Sequence, residues 1–170
     1  MTLAENLETL HVIAQVAITL IGFSGIVVVF GERAAAKWTA DEALRFYVLI
    51  AGPLTALACS FVPILLGQLT NDSSVVWRVS NAVLGAAHLG NIVPFLLRRH
   101  GASPTTGQKF NAAIGITLIA AHFLAALNIL PWLSFIFITG LLQQTWIGLH
   151  NFLLLFTPSR RKADTPNETR

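Results

Sequence analysis

A run of 50 residues without a single charge, positions 110–159 between Lys109 and Arg160, constrains this chain more than any other feature. A bilayer core about 30 Å thick takes roughly 20 helical residues. As one straight helix the run would be about 75 Å long. It therefore has to double back, and Asn128-Ile129-Leu130-Pro131-Trp132 is the place. Proline disfavours helix in the residue before it and suits a helix start. Trp132 suits the membrane interface.

Three shorter uncharged runs precede it: 9–31, 46–71 and 79–97, of 23, 26 and 19 residues. Each fits one span. Only 11% of the 170 residues are charged and 54% are apolar. A small soluble sphere cannot hide that much apolar surface, and a disordered chain needs the opposite balance. The expected fold is all-α: one bundle over residues 1–156, with spans at about 9–31, 44–70, 75–98, 109–129 and 132–156, then a polar tail, 157–170. Thr39 and Glu42 have the spacing of a helix-capping box ahead of the second span, and 101–108 is a polar turn.

The basic residues predict the threading. Arg33, Lys37 and Arg45 follow the first span, Arg98, Arg99 and Lys109 the third, and Arg160, Arg161, Lys162 and Arg170 the fifth. Only Arg78 falls on the other side. Cytoplasmic loops carry the excess of Lys and Arg, so the N-terminus is expected outside and the C-terminus in the cytoplasm. Glu5 and Glu8 ahead of a long apolar core argue against a cleaved secretory leader, although Ala34-Ala35-Ala36 has a cleavage-like composition. The expected location is a cell membrane, multi-pass, of the kind found in bacterial inner membranes. Its expected surroundings are lipid and a homo-oligomer or a larger membrane complex. Basic residues scattered in short loops make no nucleic-acid face. Cys59, the one cysteine, reads as a small buried hydrophobe.

Residues three or four apart share a helix face. On the first span Glu8, His11, Gln15, Thr19 and Gly22 form one stripe. The second carries small residues and prolines, Gly52, Pro53, Ala56, Ser60, Pro63 and Gly67, a candidate contact between subunits. Arg78, Asn81, Gly85 and His88 line up on the third, with Asn91 at the edge; Asn111, Gly115 and His122 do so on the fourth. The fifth has Thr139, Gln143, Trp146 and His150, flanked by Asn151. Gly22, Gly25, Pro53 and Pro63 are candidate packing or kink positions, with Ser60 on the packing face.

The polar stripes predict an inner path of His11, Gln15, Thr19, Asn81, His88, Asn91, His122, Gln143, His150 and Asn151. Counted inward from the outer face, His11 lies about 3 Å deep, His122 about 12 Å, His88 about 20 Å and His150 about 27 Å. Ligands of one metal converge on bonds near 2 Å, so this spread speaks against a shared metal. An offset of about 8 Å between His88 and His122 also strains a bis-histidine haem. No cofactor is therefore expected. No Asp or Glu lies in a span, and the span serines have no base on their own helix, so no enzyme is expected either. A ladder of titratable groups suits a channel or transporter for protons, ions or a small solute. The alternatives are a non-catalytic subunit or assembly factor and, behind it, a haem- or quinone-binding redox subunit.

Overall fold

A computed structural model describes residues 3–30, 40–97 and 106–156. Five helices account for nearly all of them: α1 (Leu3–Phe30), α2 (Ala40–Leu69), α3 (Ser73–Leu97), α4 (Thr106–Ala126) and α5 (Leu133–Phe156). There is no strand among the described residues. The Thr39 cap, the polar turn at 101–105, most of the basic loop residues and the tail lie outside them.

Two helix ends show how the chain sets its boundaries. Asp72 caps α3, its Oδ1 accepting from the backbone N–H of Ser74 (2.9 Å) and Val75 (3.3 Å). At the other turn α4 stops at Ala126, three residues before the expected end. Asn128 takes φ 62°, a conformation that asparagine tolerates better than most residues. The N–H of Asn128 then donates to Ala125 O and that of Ile129 to Leu124 O, both at 2.9 Å. This is a Schellman closure, so the asparagine ends the helix before Pro131 can. Gly22, Gly25, Pro53 and Pro63 interrupt nothing, for α1 and α2 run continuously through them.

Helix α5 is the centre, in contact with all four others. Helix α1 packs on α2 and α5, and α4 on α3 and α5. The apolar core fills one half of the bundle, with Leu10, Ile13 and Ala17 of α1, Ala56 and Cys59 of α2, Trp77 and Leu84 of α3, and Phe137 and Leu141 of α5. Trp77 and Phe137 meet at 5.7 Å with their rings tilted.

Three helices are long and apolar enough to cross a membrane, over Asn6–Ile26, Glu42–Leu69 and Lys109–Ala126. Five had been expected. Helices α3 and α5 fall short because of Arg78, Asn81, His88 and Asn91 on the one and Gln143, Gln144, His150 and Asn151 on the other.

The small-residue face of α2 is not a free surface. Gly52, Pro53, Ala56, Ser60 and Pro63 are buried within this one chain. A Cβ at Gly52 would lie 2.6 Å from Gln144 O, and one at Gly148 would overlap the Pro53 ring. The face is thus spent on α5. Gly148→Ala should lower stability by about 1–3 kcal/mol, the usual cost of overpacking. Gly67→Ala, with nothing within 4 Å of its new methyl, should be neutral or stabilising. Unfolding in mixed micelles separates the two.

Candidate functional site

The half of the bundle away from the apolar core holds a cavity of about 90 Å³ between α2, α3, α4 and α5, its wall mostly apolar with a few polar side chains. That is room for about three waters, at ~30 Å³ each. Its deep wall contains the buried residues Gly52, His88, Gly115 and Gln144. Asn91, Asn111, His150 and Asn151 are half-buried, and Tyr47 at the rim is exposed. The burial gradient runs toward the end where α2 and α4 begin and α3 and α5 finish. His88 stands nine residues from the end of α3, about 14 Å along the axis. Among the described residues, no Asp, Glu, Lys or Arg lines the cavity.

Beyond the closed end sits a buried polar cluster with a determined proton. Asn81 Nδ2 donates to the backbone carbonyls of Trp77 (2.8 Å) and Leu133 (2.9 Å). Carbonyls only accept, so the amide can be oriented in one way, and its Oδ1 faces Nδ1 of His122 at 2.8 Å. Nδ1 must therefore carry the hydrogen and donate. In the neutral ring the lone pair is then on Nε2, which is buried and has no hydrogen-bond partner. His122 is fully buried, with Gly85 and Gly140 on either side; a Cβ at Gly140 would overlap its Nε2 and Cε1.

His88 links this cluster to the cavity. Its ring centroid is 6.2 Å from that of His122, with the planes 51° apart. Its Nδ1 is also buried without a partner. The expected separation along the helices is larger than this, because Gly85 lets His122 close onto α3 less than one turn from His88. Further toward the mouth, Asn91 Nδ2 donates to Thr55 Oγ1 (2.9 Å) and to Gln144 Oε1 (3.4 Å). His150 stacks on Trp146 at 6.4 Å.

No family model matches this sequence, and no curated protein or solved structure matches it either. The reading of the site rests on its own geometry.

Of the expected path, the bundle brings together Asn81, His88, Asn91, His122, His150 and Asn151. The rest lies elsewhere. His11, Gln15 and Thr19 are exposed on α1, as are Gly22 and Gly25. Helix α1 turns Leu10, Ile13, Ala14 and Ala17 inward instead. Gln143 belongs to a second, apolar groove between α1 and α4, shared with Val16, Leu118, Leu142 and Trp146. The α5 residue on the cavity is its neighbour Gln144, which the sequence reading passed over. The missed signal is the spacing Gly140, Gln144, Ile147, Asn151, a second stripe on the same helix.

A haem does not fit between the two histidines. One nitrogen of His122 is bonded to Asn81 and the space before the other is filled by the α5 backbone at Gly140. Among the described residues no three His, Cys, Asp or Glu side chains gather as a metal would need.

Proposed function

We propose that this chain crosses the membrane five times and is a transport protein that takes a proton or a small neutral polar solute into a cavity reached from one side. The observation that carries the proposal is the cavity ending on His88, next to a second imidazole whose tautomer is locked by Asn81. A mostly apolar cavity that carries amides, two histidines and, among the described residues, no charged side chain gives no compensation for a bare ion. Water within it can carry a proton to His88, the one ionisable group at its deep end.

Support for five spans comes from where the polar groups of α3 and α5 point. These helices have 25 and 24 residues, about 36 Å or more each. Asn81, His88, Gln143 and Gln144 are all buried, so the mean hydropathy of these helices understates how apolar their outer faces are. The basic residues set the direction: Arg45 and Lys109 begin α2 and α4 at the cavity end, and the sequence places eight more on that side. The cavity then opens to the cytoplasm, with the N-terminus outside. Arg78, at the opposite end, is held by a hydrogen bond from its Nε to Ala126 O (3.0 Å).

The test is proton flux into proteoliposomes under an imposed gradient, read by an entrapped pH dye. His88→Gln should cut the protein-dependent flux at least tenfold, whereas His11→Gln, on the outward face of α1, should leave it unchanged. A His88→Gln protein that conducts as well as the wild type overturns the proton reading. Uptake of small neutral solutes by that same variant would then identify the cargo as a solute.

A further inference from the structure

We propose that the groove between α1 and α4 holds a lipid-soluble quinone, with a ring carbonyl accepting a hydrogen bond from the side-chain amide of Gln143. The site is separate from the cavity at His88, and the inference rests on the five-span reading. Helices α1 and α4 both pack on α5 and leave between them a groove of about 870 Å³. Sites for small molecules run from ~300 to 1,000 Å³. Val16 and Leu20 of α1, Ile114 and Leu118 of α4, and Leu142 and Leu149 of α5 form its walls. Val16, Leu142 and Trp146 are exposed, so the groove is open on its outer side.

Gln143 sets this groove apart from a bare apolar face. Its side chain is 8% exposed, and its Nε2 is buried without a hydrogen-bond partner. The hydroxyls on the groove are already spent on their own helices. Thr117 donates to Ala113 O (3.0 Å), Thr139 to Phe135 O (2.8 Å) and Thr145 to Leu141 O (3.0 Å). Gln143 keeps a hydrogen to give. The last torsion of a glutamine is soft, so the amide can turn Nε2 toward the groove.

Depth decides what can take that hydrogen. Gln143 is 11 residues past Trp132, about 17 Å from the outer face and near the middle of a core about 30 Å thick. Phospholipid ester carbonyls stay at the interface, and an acyl chain has no acceptor. The occupant is therefore apolar overall and carries an acceptor at mid-bilayer. A quinone meets both conditions, with carbonyls on a flat ring that its hydrocarbon tail keeps in the core. Trp146, three residues from Gln143 on the same helix face, lines the groove and offers that ring an aromatic surface. One placed polar group among apolar and aromatic walls is the make-up of a small-molecule site.

The experiment titrates the protein in phospholipid nanodiscs with decylbenzoquinone and reads tryptophan fluorescence, which quinones quench on contact. The wild type should show a saturable quench above the linear loss from partitioning. Trp146→Phe keeps an aromatic wall, removes the reporter and should lose the saturable part. Gln143→Leu should raise the half-saturating concentration at least tenfold, whereas His88→Gln should leave it unchanged. Gln143→Leu should unfold no earlier than the wild type in mixed micelles, because it removes a buried amide that has no partner. No saturable quench in the wild type, or equal half-saturation in the wild type and Gln143→Leu, overturns the quinone site. Displacement of the quinone by an equal concentration of decylbenzene shows a plain hydrocarbon groove and overturns it too. In each case a protein that resists alkaline carbonate leaves the membrane reading standing. Release by carbonate overturns both.

Discussion

Asn81→Leu will cost about 2–4 kcal/mol of stability. The side chain is fully buried and serves three partners: two backbone carbonyls and the His122 imidazole. Leucine has nearly the same shape but leaves the fully buried Nδ1–H of His122 with no acceptor. An orphaned buried donor costs more than a made hydrogen bond contributes, about 1–3 kcal/mol against about 1. The double variant Asn81→Leu/His122→Leu removes both partners and should recover a large part of the loss. Unfolding in mixed micelles for the two single variants and the pair gives the coupling directly. If the double variant is as unstable as the sum of the singles, Asn81 acts through its backbone contacts alone.

The second large effect is expected at Gly140. Gly140→Ala puts a methyl group where Nε2 and Cε1 of His122 now lie, and close to Leu84. The imidazole must move or α5 must shift, at about 1–3 kcal/mol. Movement would break the 2.8 Å bond to Asn81, so the nitrogen resonances of His122 should lose the single-tautomer pattern expected of the wild type. Adding His122→Ala should relieve the clash and restore stability toward that of His122→Ala alone. Gly90→Ala, where a methyl has open space, is the control and should show neither effect.

Why the helices are legible in the sequence and half of the site is not comes down to what periodicity measures. Charge-free runs locate helices because ionised groups are costly in lipid, and all five helices lie where those runs place them. Their ends are set by single residues, Asp72 and Asn128, whose backbone geometry no run length reports. A polar stripe marks a face but not its direction. On α3 the stripe through Asn81 and His88 points into the bundle; on α1 the one through Gln15 points out. The reason is competition for the interior, which the small residues Ala14 and Ala17 win on α1 by allowing close packing. Helix α5 keeps one outward stripe, Phe135, Leu142, Trp146 and Leu153, and buries the faces on both sides of it. Gln143 and Gln144 are about 100° apart, and both are buried, one toward the cavity and the other toward the α1–α4 groove.

The central position of α5 bears on how this protein is made. Helix α5 is the last of the five to leave the ribosome. Until it arrives, Asn81 lacks the Leu133 carbonyl, Asn91 lacks Gln144, and the Pro53 ring lacks the hollow at Gly148. On the proposed five-span threading, the first four helices thus enter the bilayer with polar groups and a notch that have nothing to engage. Biogenesis must either shelter that unfinished intermediate beside the insertion machinery or complete it quickly. A chain halted before position 133 would present the quality-control system with amides facing lipid.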